Sequence, residues 1–157
     1  MSYLVLARKW RPKLFSEVVG QQHVVQALQN SILNKKINQA YIFNGTRGVG
    51  KTSIARILTK VLNCKDPKNG EPCNECDQCL AMNENTLLDF QEIDAASRRS
   101  REETMNLLET VPYLPTSSKY KVYLIDEVHM LTKESFNALL KTLEEPPEYL
   151  KFIFATT

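Results

Sequence analysis

Two kinds of apolar run alternate along this chain. The first kind is short and unbroken, as in Tyr41-Ile42-Phe43, Val122-Tyr123-Leu124-Ile125 and Phe152-Ile153-Phe154-Ala155. Such runs read as strands buried on both faces of a parallel sheet. With the looser stretch from Leu87 to Ile93, they predict strands over 40–44, 87–93, 120–126 and 151–155. The second kind is spaced for one face of a helix. Val24, Val25, Leu28, Ile32 and Leu33 predict a helix over 21–34, and Ile54, Ile57, Leu58 and Val61 predict one over 51–62. A third helix, 100–111, ends before Pro112. A fourth, 133–144, turns Phe136, Leu139, Leu140 and Leu143 inward and stops at Pro146-Pro147, because proline cannot continue a helix. An extended arm over 3–19, with Pro12 and the only tryptophan, Trp10, precedes them all. Strands alternating with helices predict an α/β fold: a parallel sheet with helices on both faces, in three layers.

The turn between the first predicted strand and its helix carries the strongest chemical signal. Gly45-Thr46-Arg47-Gly48-Val49-Gly50-Lys51-Thr52 matches a phosphate-binding loop at every fixed position. The strand aims the turn, and its glycines let successive N–H groups curl toward phosphate oxygens. The following helix adds the positive end of its dipole. Lys51 would reach the β- and γ-phosphates, and the Thr52 hydroxyl would complete a magnesium shell. This pattern predicts binding of a nucleoside triphosphate.

A second signal follows the third predicted strand, where Asp126 and Glu127 close an apolar run. Open α/β sheets place their ligands at this carboxyl edge. Asp126 suits magnesium through a coordinated water, which leaves Glu127 to orient the water that attacks the γ-phosphorus. Thr156 and Thr157 end the last strand, where a hydroxyl could read the γ-phosphate.

All four cysteines fall in one short stretch, as Cys64, Cys73, Cys76 and Cys79, with the spacing C-x8-C-x2-C-x2-C. The C-x-x-C turns favour one tetrahedral structural zinc site over two disulfides or an iron–sulfur cluster. Four thiolates leave no open position for catalysis. Composition adds limits. At 157 residues, 43% apolar and 24% charged, the chain is one globular domain, and no apolar stretch reaches membrane-spanning length. Met1 to Leu6 is followed at once by Arg8, Lys9 and Arg11, which is not signal-peptide architecture, so a cytoplasmic location is expected. A net charge of +2 does not by itself argue for nucleic acid. Arg98, Arg101 and Lys133, at predicted helix starts, are the candidates for phosphate contacts to DNA, which would be blind to base sequence. His23 and His129 read as packed or hydrogen-bonded residues rather than ligands, since the cysteines already complete a metal shell.

These segments resemble the AAA+ ATPases, and within them the clamp-loader motors of bacterial replication. The resemblance is carried by Leu6-Ala7-Arg8-Lys9-Trp10-Arg11-Pro12, the phosphate loop, Ile93-Asp94-Ala95-Ala96-Ser97, the long segment from Val122 to Leu131, Phe136 to Pro147 and Phe154-Ala155-Thr156-Thr157. The cysteine insert at 64–79 narrows it to their gamma/tau branch. The resemblance implies a P-loop NTPase fold of AAA+ type, with ATP, Mg2+ and Zn2+ as ligands. Ala7, Arg8, Arg11, Pro12, Val18 and Val19 would line the adenine and ribose pocket. Ser53 would sit near the α-phosphate, and Thr157 would be the sensor of the γ-phosphate. It implies partners as well: other loader subunits in a pentameric ring, a sliding clamp, and primed DNA. The alternative is a silent module of the same assembly, against which the intact Lys51, Thr52, Asp126 and Glu127 argue. Family members run on past the position of Thr157 into a lid and a collar, so 1–157 is expected to be part of a subunit with little hydrolysis alone. The assembly is a nucleotidyltransferase complex, yet only Asp126-Glu127 is available here, so no polymerase centre is expected in this segment.

Overall fold

The computed structural model describes residues 11–45 and 50–157. The expectations for Ala7, Arg8 and Trp10, and for Thr46, Arg47, Gly48 and Val49, lie outside the described residues. A 3-10 turn at Phe15–Glu17 leads into helix α1 (Gln22–Leu33), strand β1 (Ala40–Asn44) and helix α2 (Lys51–Asn63). Then come α3 (Asp77–Asn83), β2 (Phe90–Asp94), α4 (Ser100–Glu109) and β3 (Lys121–Asp126). A second 3-10 turn (Val128–Met130), α5 (Lys133–Glu144) and β4 (Leu150–Thr156) complete the order. The four strands are parallel and run β1-β4-β3-β2 across one sheet.

Side-chain alternation along the central strands builds the three layers. Val122 and Leu124 of β3 and Ile153 of β4 face a cluster with Val25 and Leu28 of α1 and Ile54, Ile57, Leu58 and Val61 of α2. Tyr123, Ile125, Phe152 and Phe154 face the other way, onto Leu107 of α4 and Leu139 of α5. Tyr123 and Phe152 meet edge to face at 5.7 Å, a favoured aromatic geometry. Covered on both sides, β3 and β4 need unbroken apolar sequence. The outer strands do not, and Ile42 of β1 is 71% exposed.

Several expectations are corrected. The arm is not extended throughout, because Glu17 accepts from the amides of Lys13 and Leu14 and winds 15–17 into its turn. The second strand begins at Phe90, since the amide of Phe90 bonds the carbonyl of Leu87 in a turn. Leu33 is exposed, and so are Phe136 and Leu140. The inward line of α5 runs through Ser135 and Leu139, both buried, so Phe136 and Leu140, one position further on, point off the core. Helix α3 went unpredicted: it is short, only seven residues, and begins inside the cysteine spacing.

Asp89, just ahead of β2 and 4% exposed, organises the connection into β3. Its carboxylate accepts from the amides of Thr116, Ser117 and Ser118 at 2.7–2.9 Å. Burial alone raises its pKa, but these donors outweigh that and hold it below the ordinary 3.8. Asp89→Ala is expected to lower unfolding free energy by about 3 kcal/mol in a denaturant titration. A depressed folded pKa gives stability that is whole above the unfolded value and fades as pH falls below it. The variant should therefore lose part of the acid sensitivity seen below about pH 4.

Candidate functional site

The site lies at the carboxyl edge of the sheet, where β1, β4 and β3 end side by side. β1 pairs with β4 up to Asn44 and Thr156, and the Gly45 amide extends the ladder by donating to the Thr156 carbonyl at 3.2 Å. Gly50 has a φ of +81°, one that a side chain would strain. Lys51 then opens α2 and sends its ammonium back to the strand ends. Nζ donates to the carbonyls of Gly45 (2.8 Å) and Thr156 (2.7 Å). Thr52 and Ser53 occupy the same first helical turn.

Across β4, Asp126 ends β3 in register with Asp94 of β2. Its Oδ1 accepts from the Glu127 amide at 2.9 Å. Glu127 itself is left-handed, at φ 54° and ψ 46°, a conformation that costs a non-glycine residue about 1–3 kcal/mol. That twist turns the chain off the sheet, with the Glu127 side chain only 13% exposed. Its Oε2 lies 3.3 Å from His129 Nε2, and His129 Nδ1 lies 2.9 Å from Thr156 Oγ1. One line of contacts therefore runs from Lys51 through Thr156 and His129 to Glu127. The sequence points to Thr157 as the reader of the γ-phosphate and to His129 as a packed or hydrogen-bonded residue, and His129 is hydrogen-bonded. Among the described residues, the hydroxyl that joins Glu127 is that of Thr156, and Thr157 lies one residue beyond β4, exposed. The clue was the side-by-side pair of threonines, whose alternating directions sequence could not resolve.

Other assignments are less tightly gathered. Val18 packs against the core beside Phe15, and Val19 is 91% exposed. Pro12 is partly buried, and Arg11 faces a cleft with Arg56, Met82, Asn85, Phe90 and Glu92. Arg98 and Lys133 are exposed, whereas Arg101 pairs with Glu134 at 2.5 Å across the starts of α4 and α5. That exposed pair contributes little stability.

The cysteines form a second centre. The sulfurs of Cys64, Cys73, Cys76 and Cys79 lie within 4.8 Å of one another, with Cys73–Cys79 and Cys64–Cys76 both at 4.0 Å. A zinc ion with bonds of 2.3 Å sets its sulfurs about 3.8 Å apart, whereas a disulfide needs about 2.05 Å. All four are free thiols arranged as a ligand set. Amides point at the sulfurs: Cys73 onto Cys64 at 3.3 Å, Cys76 onto Cys73 at 3.2 Å and Cys79 onto Cys76 at 3.5 Å. Burial pushes the Cys76 thiol up, but the amides of Lys65 and Cys79 outweigh it and bring its pKa to about 7. Burial pushes Cys79 and Cys64 upward. The set suits a soft, fourfold-coordinated ion such as zinc.

A family model described as DNA polymerase III, delta subunit, matches residues 20–157. Over all 157 residues the chain is 59% identical to the DNA polymerase III subunit tau/gamma of Haemophilus influenzae and 59% to the subunit tau of Escherichia coli. It covers 23% and 24% of those proteins, so it spans about a quarter of their length. Among solved structures, a DNA polymerase III gamma subunit-related protein of Thermotoga maritima matches with a TM-score of 0.59 at 22% identity, over 83% of this chain and 38% of that one. The RuvB protein of Thermotoga maritima matches with a TM-score of 0.56 at 19% identity, over 95% of this chain and 42% of the other. At such identities the likeness concerns the fold, an α/β P-loop NTPase fold. Among the described residues, no helix is long and apolar enough to cross a membrane.

Proposed function

The chain belongs to the DNA polymerase III subunit family, on its tau/gamma branch, and from that premise we propose that it binds and hydrolyses ATP as the motor of a clamp loader. One observation carries this reading: Lys51 and Glu127 are joined through Thr156 and His129 at the carboxyl edge of the sheet. A phosphate-gripping cation and a carboxylate suited to orienting water thus border one place, and phosphoryl transfer asks for little more than positioning and charge.

In this reading, the 45–52 loop and Lys51 hold the β- and γ-phosphates, with Ser53 near the α-phosphate. Thr52 and Asp126 would hold Mg2+, which when bound neutralises charge on the phosphate oxygens. Glu127 orients and polarises the attacking water, steadied by His129. The strand tip, Thr156 with Thr157, reads the γ-phosphate. Ala7, Arg8, Arg11, Pro12, Val18 and Val19 line the base and ribose pocket. The cysteine centre holds zinc in a structural role within a single AAA+ domain.

The partners in this reading are further subunits in a ring, the sliding clamp, and primed DNA met by Arg98, Arg101 and Lys133, all in the cytoplasm. Binding of ATP favours the assembly that grips clamp and DNA, and hydrolysis releases them. The test is a fluorescent-nucleotide titration of the full-length protein against Lys51→Ala. The expected result is at least about tenfold weaker ATP binding, as fits loss of a charge-assisted phosphate contact. An unchanged dissociation constant would overturn the reading.

A further inference from the structure

The cysteine insert reaches back to the amino-terminal arm. Glu71 accepts from the Phe15 amide through Oε1 at 2.6 Å and from the Ser16 amide through Oε2 at 3.1 Å. Asn74, inside the Cys73–Cys76 turn, donates to the Lys13 carbonyl at 3.2 Å. Lys60 of α2 is 3% exposed and donates to three oxygens. These are the Lys13 carbonyl at 2.7 Å, Asn74 Oδ1 at 2.7 Å and Asn83 Oδ1 at 3.0 Å. An ammonium has three protons, and all three are used. Gly70, at φ +75°, lets the insert backbone lie on α1, where an added Cβ would meet Gln29 Cβ at 3.2 Å. Together these contacts tie arm, insert and helices at one junction, with Phe15 driven into the core beside it at 1% exposure.

The insert has little of its own to hold this shape. Between α2 and α3 its backbone pairing is one isolated bridge, Lys68 with Glu71. Asn69 and Asn74 sit at positive φ (55° and 58°), the left-handed turn that asparagine adopts more readily than other side chains. Glu71 stands two residues from Cys73, and Asn74 stands between two ligands.

We propose that the insert is a metal-set clamp on the arm, with Glu71 and Asn74 as its positioning residues. Metal occupancy then governs the order of residues 13–18 and, through Val18 and Val19, the affinity for nucleotide. The nucleotide half rests on the reading above that this arm lines the base pocket. The clamp half stands on the contacts alone.

Hydrogen exchange on the full-length protein tests the clamp, with zinc bound, after chelation, and in Glu71→Ala that retains its zinc. The amides of Phe15 and Ser16 should exchange about tenfold faster or more after chelation and in the variant, while β3 and β4 keep their protection. ATP affinity in the same samples should fall about three- to tenfold. Glu71→Gln, which keeps one acceptor oxygen, should recover part of both. Unchanged protection at Phe15 and Ser16 overturns the clamp, as does a chelation effect spread equally over β3 and β4. Faster exchange with undiminished ATP affinity overturns instead the assignment of the arm to the nucleotide.

Discussion

Glu127→Gln, made in the full-length protein and assembled with its partner subunits, should cut steady-state ATP turnover at least about a hundredfold, in line with loss of a positioned general base. ATP should stay bound. The substitution keeps the size of the side chain and its place 3.3 Å from His129 Nε2, since an amide can meet either ring tautomer. Lys51 and its loop are untouched, so nucleotide affinity should move less than about threefold. The signature is lost turnover without lost binding, read by single-turnover hydrolysis beside an equilibrium titration. Equal turnover in variant and parent would remove Glu127 from the chemistry and leave the silent-module alternative standing.

The second large effect is expected from the cysteine centre. Cys79 is fully buried and its thiol is pushed up by that burial, so without metal it stays protonated at neutral pH. Metal binding must therefore release protons, and affinity should weaken as pH falls. Full-length protein is expected to carry one zinc per chain by elemental analysis. Cys79→Ser should lose that zinc and melt about 10 °C lower, because a structural site contributes folding free energy directly. Iron and sulfide in stoichiometric amount would instead identify a cluster. A variant that melts with the parent would show the insert to be metal-free.

Much of this architecture was legible because burial on both faces leaves an unmistakable mark. β3 and β4 are unbroken apolar runs for that reason, and α2 shows its inward line through Ile54, Ile57, Leu58 and Val61. That Lys51 and Asp126-Glu127 lie along one sheet edge was legible because each borders a strand or helix that the apolar runs mark. What escaped depends on orientation rather than composition. Nothing local distinguishes Leu139 from Leu140, and only the seating of α5 decides which is covered. Thr156 and Thr157 are chemically alike, and the choice between them is a question of strand parity. His129 has its role only because β4 lies next to β3, and the grip of Glu71 on the arm spans 56 residues. Such pairings are set by topology, which periodicity does not carry.

That topology also orders events in time. β1 has one neighbour among the described strands, β4, and Ala40 aligns with Phe152. A polypeptide leaving the ribosome amino end first displays β1, and the lysine that opens α2, long before β4, the strand with which β1 pairs, exists. Because Lys51 anchors on the Thr156 carbonyl, 105 residues further along, its seat is complete only once the chain has been made through β4. Contacts so distant along the chain form slowly, so over that interval the hydrogen-bonding edge of β1 that meets β4 stays unpaired, an exposure that favours association between chains.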